Sequence, residues 1–181
     1  EEKIEALGRI IDTLDELRVK CPWDRKQTNE SLRPNTIEEV YELCDALIHD
    51  DSANIKKELG DVLLHVLFYA KIGEEKDQFD IVDVADALNS KLIFRHPHVF
   101  GDAAAENSKE SLVLWEDIKK QEKKEETLED TLNRVAKAFP ANIRAEKIQK
   151  KAAKHGFEFE SMEQVLGKVK EELAELEEFT S

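Results

Sequence analysis

TIEEVYELCDALIH at residues 36–49 and ANIKKELGDVLLHVLFYAKIG at residues 53–73 are two neighbouring stretches that both carry apolar residues at helical spacing. At about 100° per residue, Ile37, Val40, Cys44, Leu47 and Ile48 of the first share one face, with Glu38, Glu42 and Asp45 opposite and Glu39 at the edge. Thr36, with Glu39 three residues on, reads as the capping box that opens this helix. In the second stretch Leu59, Val62, Leu63, Leu64, Val66, Leu67, Phe68 and Ala70 make an apolar arc too wide for a helix lying on a surface, which predicts a central helix. Asp50-Asp51-Ser52 is the turn between them, and so short a connection predicts antiparallel neighbours.

Working outward, Ile4, Leu7, Ile11, Leu14 and Leu17 describe an amphipathic first helix that ends before Cys21-Pro22. Residues 21–35, with Pro22, Asn29, Pro34 and Asn35, read as a loop. A further helix is expected from Asp80 to Phe94, then a turn over Arg95–Gly101, then a charged helix from Ser111 to Glu126. Residues 134–154 hold seven Lys or Arg against the single acid Glu146, either to steer an anion or as a solvated helix face. Glu38-Glu39-Val40-Tyr41-Glu42-Leu43 is echoed 133 residues later by Glu171-Glu172-Leu173-Ala174-Glu175-Leu176. The division expected from this is a first helical domain at 1–126 and, at 127–181, a linker helix with the truncated start of a second copy. Six Gly, four Pro and abundant Glu, Lys, Leu and Ala complete an all-α reading.

A net charge of −14 argues against a nucleic-acid binder. No apolar run approaches the roughly 20 residues that span a bilayer, so no membrane partner and a cytoplasmic location are expected. Cys21 and Cys44 are too few for a disulfide framework and are expected to be reduced. Trp23 and Trp115 are expected to fill the core, and His96 and His98 to flank a packed turn. His49-Asp50 is a helix end, because the dipeptide stands without the further ligands that a metal-dependent phosphohydrolase needs.

Chemistry concentrates in two carboxylate pairs. Glu39 and Glu42 are three apart, as are Glu58 and Asp61, so each pair projects to one side of its helix. Antiparallel helices can bring all four to one point, and hard oxygen donors in that number suit Mg²⁺ or Mn²⁺. Glu58 and Asp61 border a strongly apolar cylinder, where an unpaired carboxylate costs several kcal/mol and calls for a cation. His65 and Tyr69 follow on the same strip, as supports for the site or facing a nucleotide. From spacing alone Glu38 and Glu39 serve equally to cap their helix and complement its dipole, and Glu42 and Asp45 as solvent-facing charges.

The two-part acidic motif follows Cys21-Pro22-Trp23-Asp24 and Gln27-Thr28 and precedes Arg95-His96-Pro97-His98-Val99-Phe100. Together with Trp115-Glu116-x-Ile118-Lys119, Arg144-Ala145-x-Lys147-Ile148-Gln149-Lys150 and Gly156-Phe157, this order of motifs resembles the MazG family of nucleoside triphosphate pyrophosphohydrolases along nearly the whole chain. The resemblance implies a four-helix core, a homodimer whose subunits share sites, and hydrolysis of a nucleoside triphosphate to monophosphate and pyrophosphate. It implies Glu39, Glu42, Glu58 and Asp61 as Mg²⁺ ligands, Glu38 holding a second ion or orienting the water, and Lys119 and Lys168 on the triphosphate. The second copy lacks its Glu-x-x-Asp, which leaves a non-catalytic dimerisation or regulatory module with a relic metal site as the alternative.

Overall fold

The computed structural model describes residues 1–103, 107–122 and 127–179, without the side chains at 116, 117 and 119–122. The helices are α1 (Glu2–Lys20), α2 (Asn29–Ile48), α3 (Ser52–Glu74), α4 (Ile81–Arg95), α5 (Pro97–Phe100), α6 (Ser108–Glu122), α7 (Leu128–Asn133), α8 (Ala141–Ala153) and α9 (Met162–Phe179), with a 3-10 turn at Asp24–Lys26. No strand occurs among the described residues, so the all-α reading stands. Two compact units divide between residues 106 and 107, so α6 groups with the second unit, whereas the sequence reading puts the boundary after residue 126.

In the first unit α3 is central, and α1, α2 and α4 each pack against it. Leu14 of α1, Leu32 of α2, and Leu67, Phe68 and Ile72 of α3 form the core, flanked by Ile10, Ile11, Leu64, Tyr69 and Ile81. The wide apolar arc of α3 is therefore used on several sides at once.

α2 begins seven residues before the expected Thr36 start. Thr28 is the N-cap: its hydroxyl accepts from the Ser31 N–H at 3.2 Å, and Ser31 Oγ accepts from the Thr28 N–H at 2.9 Å. Pro34 sits inside the helix and forfeits only the bond to the Glu30 carbonyl, close to the first turn and among exposed residues. Leu32, two residues earlier, is buried, which favours the helix there. The helix is also rotated from expectation. Leu32 and Ala46 are buried and Thr36, Glu39 and Leu43 half-buried, while Ile37, Val40, Cys44, Leu47 and Ile48 are exposed. A polar seam explains the rotation, because Thr36 Oγ1 meets His65 Nδ1 at 2.9 Å and the Tyr69 hydroxyl at 2.5 Å on α3.

The α2–α3 turn is two back-to-back caps. Asp50 takes a left-handed conformation at φ 52°, with the Asp50 N–H on the Leu47 carbonyl at 3.3 Å and the Asp51 N–H on the Ala46 carbonyl at 3.1 Å. That is the pattern of a Schellman cap. Asp51 Oδ1 then accepts from the N–H groups of Ala53 and Asn54 at 3.1 and 3.2 Å, opening α3. Nothing flexible intervenes, so the turn sets the register of the acids on the two helices.

At the other end Arg18 is a clamp. Its guanidinium donates to both Glu75 oxygens at 2.8 and 2.5 Å, to the Gln27 carbonyl at 3.2 Å and to the Asp24 carbonyl, and lies 5.6 Å from the centre of the Phe68 ring. One side chain thus ties α1, the 3-10 turn and the end of α3. Trp23, on that turn, is 59 % exposed and not in the core as expected. Gly73 permits the next bend, since a Cβ there would stand 2.8 Å from the Phe79 carbonyl oxygen.

In the second unit α7 packs on α8 around the buried Val135. Lys150 pairs with Glu146 on α8, and the Lys147 ammonium lies 6.0 Å from the Phe139 ring centre. These contacts make that stretch of the basic segment a helix face with local partners.

Candidate metal centre

The antiparallel pairing of α2 and α3 brings residue 36 against 65 and 69, and residue 39 against 58 and 61. One carboxylate oxygen from each of Glu39, Glu58 and Asp61 lies within 4.8 Å of the others. Glu58 is buried at 5 % exposure, while Glu39 and Asp61 are half-buried. The expected Glu42 is adjacent but outside this close group, and is linked to it by Lys57. The Lys57 ammonium stands 2.8 Å from Glu58 Oε1, 3.6 Å from Asp61 Oδ2 and 4.0 Å from Glu42 Oε2.

Electrostatics follows from this crowding. Partial burial, then Asp61, Glu42 and Glu58 in turn, push the Glu39 carboxyl above its ordinary range. The Glu58 hydrogen bond holds the Lys57 ammonium above its ordinary range. Glu58 Oε2 is buried and has no hydrogen-bond partner among the described residues. An orphaned carboxylate oxygen beside two more acids is a donor set for a hard cation, so these residues fit Mg²⁺ or Mn²⁺.

Beside the acids lies the polar seam. Thr36 donates its one hydroxyl proton to the Leu32 carbonyl at 3.0 Å, so it accepts from the Tyr69 hydroxyl and from His65 Nδ1–H. The neutral His65 ring then keeps its lone pair on Nε2. Burial lowers the His65 pKa, and Asp61 opposes that shift. The seam locks α2 on α3 next to the acids.

Glu38 is exposed on α2 and outside the close group of three. The Lys119 side chain lies outside the described residues. Lys168, on α9 in the second unit, pairs with Glu171 at 2.7 Å and Glu172 at 3.6 Å. Cys21 and Cys44 are both free. The expected packed turn over 95–101 is instead the short helix α5, with Val99 63 % and Phe100 62 % exposed, the His96 and His98 rings 5.7 Å apart and His96 Nδ1 2.6 Å from the Leu92 carbonyl. Lys57 and Thr36 were not singled out for the site, although Lys57 stands at the i,i+4 spacing from Asp61 that pairs opposite charges on a helix.

Residues 27–100, which contain the whole acidic group, match the model of the MazG nucleotide pyrophosphohydrolase domain. The chain is 41 % identical over 174 residues to a nucleoside triphosphate pyrophosphohydrolase of Escherichia coli, covering 96 % of this chain and 66 % of that protein. It is 44 % identical over 171 residues to the nucleoside triphosphate pyrophosphohydrolase/pyrophosphatase MazG of Thermotoga maritima, covering 93 % of this chain and 65 % of the relative. The chain thus spans just under two thirds of the length of these relatives. A crystal structure of a mazG-related protein from Thermotoga maritima superposes with a TM-score of 0.55 at 26 % identity, covering 62 % of this chain and 98 % of that one. An α2–α3 pair carrying clustered acids, on a sequence alike along nearly its whole length, places the chain in the MazG family of nucleotide pyrophosphohydrolases.

Proposed function

We propose that this chain hydrolyses nucleoside triphosphates to the monophosphate and pyrophosphate, with Mg²⁺, or Mn²⁺ in its place, held by Glu39, Glu42, Glu58 and Asp61. The observation that carries the reading is Glu58, buried, with Oε2 unpartnered, and within 4.8 Å of two other acids. Clustered carboxylates repel a triphosphate unless a cation stands between them. When bound, the ion offsets phosphate charge and makes a water more acidic. Glu42 reaches the group from the turn after Glu39, and exposed Glu38 is the acid free of the core that orients the water or holds a second ion. The net reaction adds one water across a phosphoanhydride bond, so no covalent nucleophile is needed.

In this reading Lys119 and Lys168 meet the triphosphate, and Lys168 exchanges Glu171 and Glu172 for phosphate oxygens. The acids Glu171, Glu172 and Glu175 on α9 open a second repeat. The working form is a cytoplasmic homodimer that clears or regulates nucleotide pools. Support for the dimer comes from exposed Ile37, Val40, Leu47 and Ile48 on α2 and Leu59, Leu63 and Val66 on α3, a surface that a second copy would cover. No helix among the described residues is long and apolar enough to cross a membrane.

The test is pyrophosphate release from a panel of ribo- and deoxyribonucleoside triphosphates with Mg²⁺, beside a Glu58→Gln control. Monophosphate and pyrophosphate in equal amounts, lost with EDTA and lost at least 100-fold in the variant, are expected for a group of this kind. Folded protein that binds Mg²⁺ without turnover would instead identify a non-catalytic dimerisation or regulatory module.

A further inference from the structure

We propose that Lys57 is the resident counter-cation of the acidic group, so that a divalent ion enters by displacing its ammonium. The inference rests on the reading of this group as a metal centre. The ammonium is within 4.0 Å of three carboxylates on two helices: Glu58 beside it, Asp61 one turn on, and Glu42 across on α2. Glu39, the fourth acid, also feels its charge.

This placement differs from an ordinary surface ion pair in two respects. An ammonium is a compact charge with three donors, and here it faces several acids from two helices. It offsets one of four negative charges and leaves Glu58 Oε2 without a partner. The group is therefore partly satisfied, enough to keep α2 against α3 and too little to exclude a stronger cation. The Lys57 side chain is 60 % exposed, so its flexible stem can turn into solvent without opening a cavity. Metal binding then exchanges a single charge for a double one at the same acids, and the affinity measured for the ion is reduced by the pairs that Lys57 has to give up.

Two consequences are separable. Without metal, Lys57→Met leaves the acids to repel one another, and the protein melts at a lower temperature. With metal, the competitor is gone, and binding tightens by roughly three- to ten-fold at low ionic strength, an effect that salt reduces. Lysine at 56 is the control, since Lys56→Met removes the same formal charge one residue away.

The experiment is calorimetric titration of the metal-free chain with Mg²⁺, repeated with Mn²⁺ followed by electron paramagnetic resonance, for wild type, Lys57→Met, Lys57→Gln, Lys56→Met and Glu58→Gln. Tighter binding and a lower metal-free Tm in both Lys57 variants, with Lys56→Met close to wild type, are the expected result. A purely structural role for Lys57 would lower Tm and leave the affinity alone, which overturns the proposal. Weaker binding in the Lys57 variants, or an equal gain in Lys56→Met, also overturns it. If wild type binds Mg²⁺ and Glu58→Gln does not, while Lys57→Met is unchanged, only the exchange falls. If wild type binds no divalent ion, the metal centre falls with it.

Discussion

Arg18 and Glu75 show how a single ionic contact can be read in both directions of pH. The Arg18 side chain is 7 % exposed and that of Glu75 39 %, so the pair is buried at one end only. Arg18 holds the Glu75 carboxyl below its ordinary value of 4.5, chiefly through the hydrogen bond. A depressed carboxyl contributes stability above the unfolded value and loses it as pH falls through the lower folded value. Glu75→Gln should therefore cost about 1 kcal/mol at pH 7, less than a fully buried pair because solvent screens the glutamate. That cost should shrink as pH drops below 4.5. Urea unfolding of both proteins from neutral pH downward reads the difference directly, and parallel curves would refute the assignment. At this same scale spacing of three puts Glu58 and Asp61 on one side of α3, but on α2 it points to Glu39 and Glu42 alike, and only Glu39 joins the close group. Lys57 was legible as a partner of Asp61 from i,i+4 spacing, but not as a partner of Glu42, because intrahelical spacing carries no information about a contact with another helix.

Among the elements, α3 was legible almost to its ends, since its apolar arc and the Asp50-Asp51-Ser52 turn point the same way. The start of α2 was not. Asn29, Pro34 and Asn35 look like breakers, and the capping box pairs Thr28 with Ser31 where a Glu or Gln is the usual signal. Its rotation was hidden for a different reason. Periodicity tells which residues share a face, but the face that meets α3 was selected by the Thr36, His65 and Tyr69 bonds. The turn itself offers a test. Asp50 sits at φ 52°, where Gly is at ease, Asp is tolerated and a β-branched residue is strained. Asp50→Gly should be neutral or stabilising by up to about 0.5 kcal/mol, because the freedom it adds to the unfolded chain offsets part of the relief. Asp50→Val should cost 1 kcal/mol or more, by roughly the strain of a left-handed residue. Thermal melts of the two variants decide the matter, and a Val variant as stable as wild type would show that the cap does not set this turn.

For the whole molecule, the two apolar stripes left by the rotation of α2 pose a question of area. Ile37, Val40, Leu47 and Ile48 on one helix and Leu59, Leu63 and Val66 on its neighbour are each between 37 % and 79 % exposed. Monomeric proteins rarely leave a contiguous apolar patch larger than a few hundred Å², whereas a stable dimer buries about 800 Å² on each partner. In the dimer we propose, a second copy laid across α2 and α3 would cover these side chains and bring another chain close to the helices that carry the acids. Leu47→Glu and Val66→Glu test one stripe each. Both positions are exposed in the protomer, so neither substitution opens a cavity in the core, and thermal stability at high dilution should change by less than about 0.5 kcal/mol. Sedimentation equilibrium should find wild type at twice the 20.8 kDa chain mass, and both variants shifted towards the mass of a single chain at micromolar concentration. If helices of two copies share a site, pyrophosphate release per chain should fall with the fraction dissociated and return as protein concentration is raised. Activity that stays constant while the variants dissociate would separate the surface from the chemistry, and a wild type that sediments as a single chain would remove the dimer altogether.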